Sequence, residues 1–478
     1  VAAGEAILNK AGIPTFEYPD AAAQAFTFMW QATDNLRTLY ETPSLPDDAL
    51  GAPDREKAQE IIAHVHATGR DLLTEAESKQ LLAAYGIPTT PTVVATSAEE
   101  AAKVAAEMGY PVVLKLHSET ITHKTDVGGV KLNLQNAEEV AAAFNAIKAS
   151  VSEKAGAEHF LGCTVQPMVK VEGYELIVGS SIDPQFGPVL LFGTGGQLVE
   201  VFKDRALGLP PLNTTIARRM IERTKIATAL KGVRGRPPVD MAALEKMMVR
   251  FSQLIAEQPY IKELDINPLI ASHETILALD ARVVLFDKNT PENELPKLAI
   301  RPYPNKYVAS WTMKNGQQVV IRPIRAEDEP LMRKFHEHLS DRTVYLRYLS
   351  PMLLSDRVTH ERLARMTHND YDREIALVVE GQENGERAVF GVARLSKLRG
   401  EEETARLSML VSDKFQGQGL GKELINRIIE VGRNEQIKRV IAATAPDNET
   451  FISLCRKAGF STISTNQETG MVEAVMNL

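Results

Sequence analysis

The chain has 478 residues, which average domain sizes divide into roughly three domains, so more than one fold is expected. Its 44% hydrophobic and 24% charged residues are typical of globular protein and exclude collagen-like, disordered and disulfide-rich classes. A net charge of -8 argues against sequence-independent nucleic-acid binding, which needs basic surface. No apolar run approaches the roughly 20 residues that span a bilayer, and no secretory signal is recognisable. We therefore expect a cytoplasmic protein without nucleic-acid or membrane partners.

The first 45 residues are predicted as a helix, a short strand and a second helix. The sequence starts at Val1 without an initiator methionine, and we interpret residues 1–45 as the C-terminal remnant of an upstream domain. A proline-rich, acidic stretch over residues 42–54 indicates the first boundary, because proline and glycine interrupt periodic structure.

Residues 60–285 alternate between helical and strand patterns, which predicts an α/β domain. "TEAE" at residues 74–77 is typical of a capping box, and helices are expected over 98–108 and 138–150. The expected strands are "PVVLKL", "CTVQPMV", "YELIVGSSI", "PVLLF", "LVEVF", "IKELDINPLI" and "ETILALDARVVL".

A polar, proline-containing linker is expected over residues 286–316, followed by an α+β domain over residues 317–478. In that domain the strand at 405–411 leads into the sequence QGQGLG and then into a helix with one apolar face. The first N–H groups of a helix lack partners and its dipole favours an anion, so this loop can hold a pyrophosphate without lysine or metal. The predicted binding residues are Gln416, Gly417, Gln418, Gly419, Leu420 and Gly421.

About thirty residues later the strand "KRVIAAT" and the segment "PDNETFISLCRKAGF" follow. Together with the glycine loop they resemble the GNAT acetyltransferase superfamily. The resemblance implies acetyl-CoA as the cofactor, a splayed pair of central strands, Leu410 and Val411 beside the pantetheine, and Asn448 as a further CoA contact.

A general base must accept a proton from the attacking amine. Related protein acetyltransferases often carry a glutamate where this chain has Arg406, so Glu403, one turn upstream, is the alternative candidate. The other interpretation of Glu403 is a solvated charge run at a strand end. Cys455 stands where many GNAT enzymes place a tyrosine general acid, and it is either an acid or a buried structural cysteine.

The segment "PVVLKLHSETITHKTDVGGVKL" places Lys115 at the end of a buried strand and His123 in a polar loop before two glycines. A lysine at a strand end can bind a nucleotide phosphate, and a neutral imidazole can accept a phosphoryl group. The alternative is a surface loop with a solvated histidine.

The order of segments over residues 60–285 resembles the ATP-grasp subunit of ADP-forming acyl-CoA synthetases and, more distantly, succinyl-CoA synthetase. The resemblance implies ATP or ADP binding at Lys115, an adenine hinge from Gln166 to Val169, and Mg2+ ligation by Asn267 and Asp280. His123 would be the second histidine of a phosphate relay, and residues 1–45 would be the C-terminal remnant of a CoA-ligase domain like that of succinyl-CoA synthetase. Its expected neighbours are Glu263, Asp265 and the Gly193–Gly196 turn.

As a whole, the chain resembles bacterial protein lysine acetyltransferases that fuse a synthetase-like half to a GNAT domain. This implies acetylation of protein lysines, with acyl-CoA synthetases as partners. Separately from the resemblance, Arg347, Tyr345 and Tyr348 are candidates for the side on which the acceptor protein docks. Two alternatives stay open: ADP-forming acyl-CoA ligase activity of the synthetase half, and a non-catalytic half that senses a nucleotide or acyl-CoA.

Overall fold

The computed structural model describes residues 2–42, 51–121, 123–169, 172–196, 204–233, 235–467 and 470–478. The chain forms two compact units. One consists of residues 43–302, and the other combines residues 1–42 with residues 303–478. The strand predicted at residues 198–202 lies outside the described ranges.

The first unit begins with four helices and a four-stranded sheet. The sheet has the order β1-β4-β2-β3 with antiparallel neighbours. The strands are β1 (Val93–Ala95), β2 (Val112–His117), β3 (Val130–Leu134) and β4 (Gly162–Pro167), and the helices are α3 (Arg55–Ala67), α4 (Glu75–Ala84), α5 (Ala98–Met108) and α6 (Ala137–Lys154). Helix α5 is confirmed over its predicted range, with the Ser97 side chain capping its first turn. Apolar residues of α5 and α6 pack on β2 and β4 and form the core of this part.

The predicted capping box is also confirmed, and it fixes where α4 begins. The Thr74 hydroxyl accepts from the backbone N–H of Glu77, and the Glu77 carboxylate accepts from the backbone N–H of Thr74 at 2.7 Å. Glu75 is thereby held in the first turn of the helix, where its side chain is buried.

The second sheet of this unit has the order β10-β8-β5-β6-β7, and β9 pairs with β8. Its strands are β5 (Tyr174–Asp183), β6 (Gly187–Thr194), β7 (Arg205–Gly208), β8 (Ile261–Ala271), β9 (Ile276–Ala278) and β10 (Ala281–Leu285). The helices are α7 (Thr214–Glu222), α8 (Ile226–Leu230) and α9 (Met241–Glu257). The segment predicted as one strand, "ETILALDARVVL", divides at Leu279 and Asp280 into β9 and β10, which both pair with β8.

The other unit contains an eight-stranded sheet with the order β11-β12-β13-β14-β15-β16-β18-β17. Only the β15–β16 pair among these neighbours is parallel. The strands are β11 (Ala309–Thr312), β12 (Gln318–Pro323), β13 (Glu374–Glu383), β14 (Glu386–Leu398), β15 (Glu401–Val411), β16 (Arg439–Thr444), β17 (Thr462–Thr465) and β18 (Val472–Asn477).

Helices cover both faces of this sheet. On one face lie α14 (Leu420–Asn434) and α15 (Glu449–Ala458), and the predicted apolar face of α14 is confirmed as buried. On the other face a second apolar core contains residues of α10 (Glu329–Glu337), α11 (Asp341–Tyr348) and α13 (His360–Thr367), with the short α12 (Leu354–Arg357) between them. The sheet therefore separates two apolar cores. Helices on each face can shield polar side chains of the central strands from solvent.

The N-terminal segment differs from its prediction. Residues 2–42 contain α1 (Ala2–Lys10) and α2 (Pro19–Leu39), without the short strand expected between them. Tyr40 donates a hydrogen bond to Glu329 of α10 at 2.7 Å. The remnant interpretation of residues 1–45 stays a prediction.

The stretch predicted as a linker, residues 286–316, includes ordered structure. Strand β11 lies inside it and pairs with β12 from Ala309↔Ile321 to Thr312↔Gln318. Alternation over "YVASWT" was obscured by the prolines before it, so the strand was not predicted. Among the helices in the described ranges, none combines the length and apolar character required to cross a membrane.

The unit that contains the eight-stranded sheet has one strongly buried ion-pair group. The Arg322 guanidinium bonds Asp328 at 2.6 Å and Glu380 at 2.7 Å, and Arg322 and Asp328 are both buried. Replacement of Arg322 by methionine leaves the Asp328 carboxylate buried without its counter-charge, and we expect a loss of about 3–5 kcal/mol of stability.

Urea unfolding followed by tryptophan fluorescence measures this loss, because both tryptophans, Trp30 and Trp311, belong to this unit. Arg365→Met is the control: its exposed pair with Glu361 should contribute below about 1 kcal/mol. Equal unfolding midpoints for the two variants would contradict the structural role of Arg322.

Candidate functional site

Two central strands of the eight-stranded sheet separate and open a cleft. Strands β15 and β16 are paired from Thr404↔Arg439 to Leu407↔Ala442, and their described register ends there although both strands continue. Strand β15 stays paired with β14 as far as Val411. The edge of β15 from Ser408 onward is thus turned toward the cleft, where an extended ligand can pair with strand backbone.

The glycine loop follows at the end of β15. Gly417 and Gly419 have φ of +76° and +91°, backbone that side-chain-bearing residues rarely adopt. Gly419 is the N-cap of α14. Because glycine has no side chain, no side-chain oxygen at this position accepts a hydrogen bond from the first N–H groups of the helix. This arrangement suits an anionic phosphate group, as the sequence predicted.

The predicted loop residues divide into two groups. Gln416, Gly417 and Gly421 line the cleft, and so do Leu410 and Val411. By contrast, the Leu420 side chain is buried in the core beneath the loop. A Cβ on Gly419 would meet the Trp311 ring at 3.3 Å, and the carbonyl of Gln418 accepts from the Lys314 N–H. These three residues therefore support the shape of the loop.

Asn448 forms the opposite wall and caps α15. Its Oδ1 accepts from the Phe451 N–H at 3.3 Å, and its Nδ2 donates to the Thr444 hydroxyl at 2.8 Å. The cleft has a volume of about 530 Å³, which is within the range of small-molecule sites. It is lined by main-chain groups and by both polar and apolar side chains, a combination that fits a CoA thioester.

Two lining contacts were not predicted from the sequence. The Arg347 guanidinium donates to the Ser408 hydroxyl at 2.7 Å, and the Asp413 carboxylate accepts from the backbone N–H and hydroxyl of Ser340 and from Thr343. Burial raises the pKa of Asp413, but these donors outweigh it and the net pKa is lowered. Strand β15 and helix α11 are therefore joined at the cleft by polar contacts between residues far apart in sequence.

Glu403 does not lie at the cleft. Its carboxylate is exposed near the start of β15 and pairs with Lys438 at 2.6 Å. Ser408 is five residues further along the extended strand, which corresponds to roughly 16 Å. The structure thus matches the alternative interpretation of Glu403, a charged group at a strand end, and gives the proposed base no access to the thioester. Arg406 is exposed on the same strand.

Cys455 is also removed from the reacting position. Its side chain is fully buried in the core between α14, α15 and the sheet, and burial raises the pKa of its thiol to about 12. A thiol of this kind packs as a small apolar group. The structural interpretation of Cys455 therefore replaces the general-acid one.

A second cavity, of about 420 Å³, lies in the unit formed by residues 43–302. Beside it the buried Glu75 carboxylate bonds three ammonium groups, those of Lys79 at 3.0 Å, Lys115 at 2.9 Å and Lys124 at 2.5 Å. Burial raises the pKa of Glu75, but the three lysines outweigh it and the net pKa is lowered. Burial lowers the pKa of Lys79 to about 8. The Asp280 carboxylate also lies within 4 Å of Lys115 and Lys124, so the three lysines and two carboxylates leave an excess of one positive charge next to the cavity.

The predicted phosphate and metal residues meet around this cavity. His123, Asn267 and Asp280 line it. The Asp280 carboxylate lies 3.3 Å from the Lys115 ammonium, and the Asn267 side-chain oxygen accepts from the Gly196 N–H at 3.2 Å. Amide and carboxylate oxygens are ligand types that suit Mg2+ when nucleotide phosphates complete the shell. Within the described ranges no group of three or more His, Cys, Asp or Glu side chains is arranged for a metal.

The predicted neighbours of His123 are only partly brought to it. Asp265 lines the same cavity, whereas Glu263 is not among the lining residues and pairs with Arg282. Burial raises the pKa of Asp265, Arg282 opposes this, and the net pKa is raised.

The expected adenine hinge does not line the cavity around His123. The Gln166 side chain is buried in the same lysine network, donating to Glu75 at 2.6 Å and accepting from Lys79 at 3.0 Å. Val169 is half-buried beyond the end of β4. The role of Gln166 and Val169 in adenine binding stays a prediction.

Glu75, Lys79 and Lys124 were not singled out in the sequence. The available signals were the capping box, the four-residue spacing of Glu75 and Lys79 on one helix, and the position of Lys124 directly after His123.

Two family models match the chain. One, described as an ATP-grasp domain, covers residues 64–285, and the other, described as an acetyltransferase (GNAT) domain, covers residues 318–461. They confirm the predicted order of the two folds.

Three curated proteins show how far the similarity extends. The β subunit of ADP-forming acetate–CoA ligase I of Pyrococcus furiosus is 42% identical over 229 residues, which is 48% of this chain and 98% of the subunit. The ADP-forming acetate–CoA ligase I of Archaeoglobus fulgidus is 36% identical over 284 residues, 59% of this chain but only 40% of that ligase. An acetyltransferase of Pseudomonas aeruginosa is 28% identical over 149 residues, 31% of this chain and 78% of that protein.

Cys455→Ala should leave acetyl transfer nearly unchanged, within about twofold, because a buried thiol remote from the thioester contributes no proton transfer. The rate of CoA release from acetyl-CoA, followed with a thiol reagent in the presence of a lysine peptide, measures this. The removed sulfur leaves a small cavity, and a stability loss of about 1 kcal/mol is expected alongside. A hundredfold fall in kcat in a folded variant would restore Cys455 as the general acid.

Proposed function

Because the chain belongs to the family of ADP-forming acetate–CoA ligase β subunits through its ATP-grasp half and ends in a GNAT acetyltransferase domain, we propose that this enzyme acetylates lysine side chains of proteins. Acetyl-CoA is the donor, and acyl-CoA synthetases are the proposed acceptors. The ATP-grasp half binds a nucleotide or an acyl-CoA and regulates the transfer.

The observation that carries this proposal is the cleft between the separated strands β15 and β16, with the glycine loop at one end. The loop suits the pyrophosphate of CoA, and the exposed edge of β15 suits its amide-containing arm. The acetyl group then lies near Ser408 and Leu410, beside helix α11. An acceptor amine has to approach from that side.

At that position the chemistry is acyl transfer. The uncharged lysine nitrogen attacks the thioester carbon, a C–N bond forms and the C–S bond breaks, and the CoA sulfur leaves with the bonding electrons. Backbone N–H groups of β15 can donate to the developing oxyanion. Since Glu403 and Cys455 lie outside the cleft, the proton of the amine leaves through water, and one proton is returned to the CoA thiolate.

The acetylation of a candidate acyl-CoA synthetase by the full chain and acetyl-CoA, measured by mass, tests the proposal. Gly419→Val should reduce it at least a hundredfold, because the positive φ and the Trp311 contact are both incompatible with a branched side chain. Gly385→Val is the matched control, since Gly385 also has a positive φ, of +83°, but no atom lies within 4 Å of its added Cβ. Equal loss in both variants, or no acetylation by the unmodified chain, would contradict the proposal.

A second candidate function is favoured by the cavity lined by His123, Asn267 and Asp280. Phosphoryl transfer from ATP to an imidazole nitrogen of His123 would break the bond between the γ-phosphorus and the bridging oxygen and release ADP. The nearby lysine excess would attract the phosphates.

If this half retains the relay, radiolabelled ATP with Mg2+ should leave acid-labile label on the chain, and His123→Asn should abolish it. His64→Asn, at an exposed position of α3, is the control. Label that persists without His123 would place phosphorylation elsewhere, and no label would favour a regulatory half.

A further inference from the structure

Helix α11 and its neighbours enclose an unusual group of positive charges next to the cleft. Arg347 of α11 and Arg362 of α13 both lie against the ring of Tyr348, with guanidinium carbons 4.9 Å and 4.5 Å from its centroid. We refer to Arg347, Arg362 and Tyr348 as the arginine–tyrosine stack. Cation–π contact stabilises such a pair of cations only partly, because the two positive charges repel each other.

Nearby carboxylates are already engaged by other arginines. Glu374 pairs with Arg394, and Asp341 pairs with Arg357. Within the described part of the chain, neither Arg347 nor Arg362 forms an ion pair. The Arg362 Nε and Nη2 atoms are buried without a hydrogen-bond partner.

A buried histidine lies within the electrostatic influence of the same positive charges. His336 of α10 is fully buried, and neither of its ring nitrogens has a hydrogen-bond partner. Burial, followed by the charges of Arg362, Arg357 and Arg347 in that order, lowers its pKa to about 4. Burial, with a contribution from Arg362 and Arg406, also lowers the pKa of Arg347. Positive charge around the stack therefore exceeds the negative charge of the two paired carboxylates.

The stack reaches the cleft through Arg347. This residue lines the cleft and bonds Ser408, which lies on β15 before Leu410 and eight residues before the glycine loop. A phosphate held by the loop is thus at the other end of the cleft. A buried cation without a counter-charge is costly, and an anion that arrives with the ligand would lower that cost.

We propose that the arginine–tyrosine stack is a subsite for a carboxylate of the acceptor, so that the enzyme selects lysines with an aspartate or glutamate beside them. Arg347 contacts the carboxylate, and Arg362 acts through the stack as a positioning residue. The proposal rests on the proposed lysine acetylation and specifies the sequence around the acceptor.

Two peptides with blocked termini and one central lysine test it, with glutamate on both sides of the lysine in one and glutamine in the other. The full chain should acetylate the glutamate peptide with a kcat/KM roughly tenfold higher, mainly through KM, as one charge-assisted pair would give. The ratio should fall as salt is raised, because salt screens a partly exposed pair.

Arg347→Gln should bring the ratio of the two peptides close to one. Arg362→Gln should lower the ratio partway, and Arg365→Gln, an exposed arginine on the same helix, should leave it unchanged. If Arg347→Gln does not fold, the test relies on the ratio of kcat/KM for the two peptides, measured with the unmodified chain and with Arg362→Gln. A merely structural role for Arg362 would lower the rates with both peptides equally.

Acetylation of both peptides with equal kcat/KM by the unmodified chain overturns this inference alone. A ratio that survives both Arg347→Gln and Arg362→Gln overturns it as well. Acetylation of neither peptide nor of any protein lysine overturns the proposed function together with the inference.

Discussion

The parting of β15 from β16 is the constraint on which the acetyltransferase site depends. Parallel pairing over four residues holds the two strands together up to Leu407↔Ala442, and beyond this point helices α14 and α15 begin from their ends. The gap exposes strand backbone, the loop after β15 offers unpaired N–H groups, and Asn448 fixes the opposite wall. Cleft, phosphate site and wall are therefore consequences of one local departure from regular sheet pairing.

Each half of the chain contains a group of charged side chains that is largely shielded from water. Around Glu75 three lysines share two carboxylates, those of Glu75 and Asp280, and the extra positive charge lies next to a cavity lined by His123, Asn267 and Asp280. Around Tyr348 two arginines lack a carboxylate and one of them lines the cleft. Buried positive charges without counter-charges cost stability, and a bound anionic ligand would reduce that cost.

The two cysteines illustrate a different outcome. Cys163 and Cys455 are both fully buried, and burial raises the pKa of each thiol to about 12. Both cysteines lie in apolar segments of the sequence, and a free thiol in a core behaves as a small hydrophobic group. The likeness of Cys455 to a general acid came from its place in a motif, which carries no information about the direction of a side chain.

The sequence alone determined the local features, which depend on residues close together along the chain. Local hydrogen bonds and periodicity were enough for the capping box at Thr74, helix 98–108, the apolar face of α14 and the glycine loop at Gln416–Gly421. The order of motifs was enough for the two folds. Only the tertiary structure decided where charged side chains meet, because Glu75 reaches lysines 4, 40 and 49 residues away and Arg347 meets Ser408 61 residues later. Those contacts depend on strand order and helix packing, which hydrophobic periodicity and composition do not determine. For the same reason the sequence suggests Glu403 as the general base, whereas in the structure Glu403 pairs with Lys438 outside the cleft.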